Sequence, residues 1–292
     1  MKLKSTIENY VFILPAALIF VVFYLIPFIW VFQLGLYDWD GISPAKVFVG
    51  LGNFKEILFE DKIWWGSMRN AGYITIIALT LQNALAFMLA WACDRQMRLK
   101  NFYRALFFIP VVLSEVVVGL VWQWILDGNY GLLNGWLTTL GFSSLVRSWL
   151  SDPNTALSTV AVVHCWKGFG WGFLIFLAGL QTIPRELYEA ARMDGANAWR
   201  TFKDITLPLM MPVAVLVAIL TILGTMQGFI MIIAMTDGGP AYHTQVPVLR
   251  ILASMRGSSR FGYACAQGIT FGIVLMAISF IQYKFSQKYK QA

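Results

Sequence analysis

The stretch "EAARMDGANAWRTFKDITLPLMMP" occupies residues 189–212 of a 292-residue chain. It is charged, and it lies between two of the most apolar stretches in the sequence. The rest of the chain explains the contrast. Hydrophobic residues make up 58% of it and charged residues 13%, against roughly 25% charged in a soluble domain. Mean hydropathy is +0.65. No charge falls between Glu8 and Asp38, Arg69 and Asp94, Asp204 and Asp237, or Arg260 and Lys284. Each run exceeds the roughly 20 apolar residues that carry a helix across a bilayer. Two more apolar stretches hold a single charge each, Glu115 in 105–126 and Lys167 in 156–180. The pattern predicts an all-α integral membrane protein with six spans, near 10–36, 70–93, 105–126, 156–180, 207–235 and 261–284. The first apolar run is too long for a cleaved signal, whose apolar core is about 7–15 residues.

Lysine and arginine in the connections set the expected orientation. Thirteen fall on the side that holds both termini and residues 184–205, including Lys2, Lys4, Arg95 and Arg98. Eight fall on the other side, where most of the acids also cluster. Both termini and the opening stretch are therefore expected in the cytoplasm. The net charge of +7 then reflects this bias and anionic lipid, and calls for no nucleic acid. Cys93, Cys165 and Cys265 fit no metal spacing, and with only His164 and His243 a histidine-rich metal site is not expected.

Local signals fill in the connections. Pro15 and Pro27 should bend the first span. The segment "GNFKEILFED" reads as a short helix capped by Asn53. "YGLLNGWLTTLG" is too short to cross and reads as lying on the outer surface. No repeat or low-complexity linker divides the chain, so residues 1–292 are read as one membrane domain.

Residues 184–205 read as two short helices meeting at a turn. Pro184 suits a first turn, and Glu186 and Glu189 lie near the positive end of the helix dipole. Leu187, Ala190 and Ala191 share a face, on which the alanines permit close approach of another surface. Gly195 suits the left-handed residue that ends a helix. A second helix through Trp199 and Phe202 follows. On these grounds alone the segment could equally be an ordinary amphipathic connector.

Glu-Ala-Ala, then Asp-Gly-Ala, then Ile-x-Leu-Pro with a further proline resembles the cytoplasmic-loop motif of permease subunits of binding-protein-dependent ABC importers. The resemblance implies a coupling helix that docks on a separate ATPase, with Glu189, Ala190, Ala191, Asp194 and Gly195 as its contact core. "LPAALIFVVFYLIPFIW" (14–30), "FVGLGNF" (48–54), "RALFFIPVVLSEVVVGLVWQWILDGNYGLLN" (104–134) and "MTDGGPAYHT" (235–244) are similar to the carbohydrate-uptake branch, and more narrowly to its maltose- and lactose-type first permease subunit. Against the maltose-type subunit, the resemblance implies the minimal six-span form, without extra N-terminal spans or a large external insertion. Gly238, Gly239 and Pro240 would lie near the face that docks a binding protein.

Polarity within the spans marks a candidate substrate path. Thr221, Thr225 and Gly228 share a face of the fifth span, with Gln227 beside them. His164, Lys167, Gly168 and Trp171 do the same in the fourth. Buried polar groups in spans face a bundle interior or a wet cavity, and a polar–aromatic mix suits sugar hydroxyls and CH faces. Threonine can equally bond its own helix, Lys167 can pair with Glu115, and Trp171 can simply pack. Glu115 itself reads better as an interior structural acid than as a ligand. These residues depart from the maltose pattern, which places maltose in doubt. The implied partners are a second homologous permease, two ATPase subunits that bind ATP and Mg, an extracytoplasmic sugar-binding protein, the sugar and the bilayer of a bacterial inner membrane. The chain shows no G-x-x-x-x-G-K-[ST] phosphate loop of its own. One alternative is a stand-alone ion-coupled transporter or channel with Glu115, His164 and Lys167 as a relay.

Overall fold

The computed structural model describes residues 12–94 and 99–290, apart from the side chains of residues 285 and 288–290. Lys2, Lys4, Arg95, Arg98 and the first two residues of the first expected span lie outside the described residues. Two compact units emerge. One comprises residues 1–62 and 250–274, the other 63–249 and 275–292.

In the first unit, helix α1 (Phe12–Leu34) is an apolar rod. Its turn at Val21–Leu25 is widened to π geometry just before Pro27. Proline lacks an N–H and crowds the carbonyl four residues back, and the wider turn absorbs that conflict where a bend was expected. Strands β1 (Tyr37–Asp38) and β2 (Val47–Phe48) pair antiparallel, Tyr37 opposite Phe48. Asp40 caps their connection by accepting from the Ser43 hydroxyl at 2.5 Å and from the Ile42 and Ser43 amides. Those bonds, the Ser43 hydroxyl first, lower its pKa from 3.8 to about 2.

Helix α2 (Gly52–Phe59) forms where expected, but Asn53 does not cap it. Asn53 lies inside the first turn, is buried, and donates to the Gly35 and Tyr37 carbonyls. Two carbonyls left over where α1 gives way to β1 outbid the local cap. Arg260 closes a two-pronged pair on Glu56 at 2.6 Å, which raises the arginine pKa. Asp61 accepts from Arg250 at 3.2 Å and Tyr263 at 2.8 Å.

The second unit is built around two long helices, α3 (Lys62–Asp94) and α7 (Ala156–Leu180). Ala71, Thr75, Ala78, Gln82, Ala86, Ala90 and Cys93 form a buried stripe along α3. Glycines on α7 let neighbours come close on three sides. A Cβ at Gly168 would sit 2.6 Å from Gln82 Oε1, one at Gly170 2.8 Å from the Phe107 carbonyl, and one at Gly179 2.8 Å from Val213. Helices in lipid gain little from apolar area against one another, so small residues and close packing hold them. Phe87, Phe107, Phe169, Phe173 and Phe176 fill the remaining space edge-to-face.

Two expected spans are broken. The third is α4 (Lys100–Val112) followed by α5 (Glu115–Ile125), bent by 93°. Leu113 and Ser114 adopt extended backbone between them, and Glu115 then occupies the positively polarised first turn of α5. Helix α6 (Leu132–Thr139) follows, with Leu132, Trp136 and Leu140 exposed. The fifth span begins earlier and ends earlier than expected. After α8 (Arg185–Met193), helix α9 runs over Ala198–Gln227. Trp199 and Phe202 therefore belong to the start of the span and not to a separate connector helix. Asn197 caps it, accepting from the Arg200 amide at 2.8 Å. The helix stops at Gly228 and resumes as α10 (Ile230–Thr236). Helices α11 (Pro247–Arg256) and α12 (Phe261–Lys290) complete the chain. Among the described residues, five helices are long and apolar enough to cross a membrane, or six if α4 and α5 count as one broken span.

Candidate functional site

Two places in the second unit gather the chemistry. The first is the connector. Pro184 stands just before α8, and Gly195 just after it has φ +72°, the left-handed turn that glycine adopts without strain. Helical spacing divides α8 into faces. Arg185, Tyr188, Glu189 and Arg192 turn toward a cleft of ≈ 1150 Å³. Ala191 is buried, whereas Ala190, Asp194 and Gly195 are exposed. Of the five residues expected in a contact core, Glu189 thus lines the cleft, Ala191 packs inward and three face solvent. Tyr188 hydroxyl lies 3.2 Å from Thr206 Oγ1, tying α8 to the first turns of α9.

The second place is the break in α9. Glu115, His164, Thr225 and Gly228 line a cavity of ≈ 40 Å³ with Ile74, Val160 and Phe229. That volume admits a water or two but no sugar ring. Thr225 is hydrogen-bonded to Thr75 at 2.8 Å and Thr221 to Asn83 at 3.1 Å. These threonines thus join α9 to α3 as well as bonding their own helix. Gly168 packs on Gln82. Trp171 and Gln227 are exposed and Lys167 half-buried, and all three lie outside the lining of this cavity. Of the expected path, the structure brings together His164, Thr225 and Gly228, and adds Glu115. Thr75, Gln82 and Asn83 were missed. Their signal was polarity inside the charge-free run of α3.

At the far end of α3 from the connector, Asn70 donates to the Gln245 carbonyl at 3.0 Å and the Tyr242 carbonyl at 3.3 Å. This holds the loop that carries Gly238, Gly239 and Pro240. Gly238 is buried at φ +82°, and a Cβ there would overlap Gln245 Oε1. Thr244 Oγ1 donates to the Gly239 carbonyl at 2.6 Å. The exposed tip is Ala241, Tyr242 and His243. Residues 70 and 94 are about 36 Å apart along a helix, more than the ≈ 30 Å of bilayer hydrocarbon.

The family model described as "Binding-protein-dependent transport system inner membrane component" matches residues 82–291. A probable ABC transporter permease protein, YurN of Bacillus subtilis (strain 168), is 33% identical over 290 residues, covering 99% of each chain. The diacetylchitobiose uptake system permease protein NgcF of Streptomyces coelicolor is 34% identical over 272 residues, 89% of this chain and 77% of the relative. A chain of a bacterial ABC transporter that imports the acidic polysaccharide alginate shares the fold, with a TM-score of 0.82 at 23% identity over 99% of both chains. The long apolar helices, the charged connector and these matches agree, and the chain belongs to the inner membrane components of binding-protein-dependent transport systems, as a multi-pass permease subunit of ABC type.

Proposed function

We propose that the chain forms half of the translocation path of an ATP-driven sugar importer, the two compact units acting as one permease domain. The observation that carries this is the continuity of α9. One helix of thirty residues, Ala198–Gln227, runs from the connector to the break at Gly228 and spans about 45 Å. A push on α8 passes through the Tyr188–Thr206 contact into α9, and through α9 to the cavity lined by Glu115, His164 and Thr225. The chain hydrolyses nothing itself in this reading. ATP and Mg bind two partner ATPase subunits, whose closure moves α8. A second homologous permease supplies the other half of the path, and an external binding protein delivers sugar at the Tyr242 end. The excess of basic residues on that side supports a connector and termini in the cytoplasm of a bacterial cell. The small cavity at the break widens only when the two permeases part, which is alternating access. The uptake role named for NgcF supports a carbohydrate substrate. A stand-alone ion-coupled transporter is not favoured, because the family depends on a binding protein.

The test uses uptake by the assembled transporter. Gly195→Pro forces a φ near −65° where the chain has +72°, and Glu189→Lys reverses a charge on α8. Both should abolish ATP-driven uptake while membrane insertion survives. Unchanged uptake in both variants would sink the coupling assignment. His164→Ala should weaken uptake and leave ATPase binding intact.

A further inference from the structure

The cleft beside α8 shares Tyr188 and Glu189 with the coupling path, but it also gathers cations to which coupling assigns no role. It lies where α3 ends at Trp91 and Asp94, where α4 begins at Lys100 and Arg104, and against Arg185 and Arg192 of α8. Four cations thus face two carboxylates, Asp94 and Glu189. Among the described residues, none of the four cations forms an ion pair. Arg104 Nε is buried with no hydrogen-bond partner. A buried, unsatisfied guanidinium nitrogen is costly, and arginine's planar fork matches phosphate oxygens. The cleft is open and measures ≈ 1150 Å³, ample for a headgroup.

We propose that this cleft binds the phosphate of an acidic phospholipid. Inorganic phosphate carries the same recognition chemistry, but position favours the lipid. The lining comes from the last turn of α3, the end of α7 and the first turns of α9, where spans leave the hydrocarbon and the bilayer presents phosphates at high local density. Trp91 and Tyr188 in the lining suit that interfacial depth. Basic pockets between helices at this level are suited to acidic headgroups. A phosphate held by Lys100, Arg104 and Arg192 would join α4 to α8 across the cleft. Any effect on coupling rests on the role proposed above for α8, whereas the binding itself does not.

The test measures binding to the purified full chain, with no uptake readout, so it fails or succeeds apart from that role. Native mass spectrometry would titrate the detergent-solubilised chain with phosphatidylglycerol, phosphatidylcholine and inorganic phosphate. The expected result is preferential retention of phosphatidylglycerol. Lys100→Gln and Arg104→Gln should each lower its affinity roughly fivefold, at about 1 kcal/mol per cation, with phosphatidylcholine binding unchanged. Arg104→Lys should recover most of the loss, and unaltered melting temperatures would show that the variants fold. Equal retention of the two lipids, or a preference untouched by the variants, would overturn the proposal. So would displacement of phosphatidylglycerol by millimolar phosphate. In the transporter purified from its own cells, cross-linking from Arg104→Cys to a partner protein in place of lipid would overturn it as well.

Discussion

Helices α1 and α7 are both membrane spans, yet they are built on opposite principles. The most apolar window of α1 has a mean hydropathy of 2.7, and none of it is buried within the protein. That of α7 has a mean hydropathy of 1.5, and 56% of it is buried. In water the more apolar helix would be the inner one. In lipid the order reverses, because hydrocarbon satisfies apolar side chains as well as the protein interior does. What makes α7 the centre of its own unit is its glycines, which admit Gln82, Phe107 and Val213 to close range, and the polar network of the helices around it.

The sharpest way to break this comparison is to fill a glycine of α7. At Gly170 a Cβ would meet Val111 at 2.5 Å and the Phe107 carbonyl at 2.8 Å. Gly170→Leu should therefore cost about 3 kcal/mol or more, seen as a large fall in the melting temperature in detergent or as failure to accumulate. Asn83→Ala removes the Thr221 bond and should cost about 1 kcal/mol by the same assay, the scale of hydrogen bonds between membrane helices. Gly224 has nothing within 4 Å of an added Cβ, so Gly224→Ala should stabilise the isolated chain by about 0.5 kcal/mol through helix propensity. Phe23→Ala on α1, where the side chain is 70% exposed, should change isolated-chain stability by less than about 0.5 kcal/mol. A loss at Phe23 as large as that at Gly170 would refute the contrast between the two helices.

Composition and charge-free runs were enough to read the membrane class, most of the spans and the connector, because twenty apolar residues and a cluster of charges are local properties. The connector helix and the residue that ends it were legible for the same reason. Asn53 was misread because its choice lay between a local cap and two distant carbonyls. The breaks at Leu113–Ser114 and Gly228 were hidden within runs that stay apolar on both sides. The candidate path was half legible. Polarity found His164 and Thr225, but Thr75 and Asn83 are defined by what lies across from them.

The sequence by itself determined which segments enter lipid and where the charged connector falls between them, since solvent preference is written residue by residue. Only the tertiary structure decided which span is central, where two of them break, and which face of α8 turns inward to the cleft. Those outcomes depend on how closely two backbones can approach and on which polar group finds a partner, and both are properties of pairs of helices.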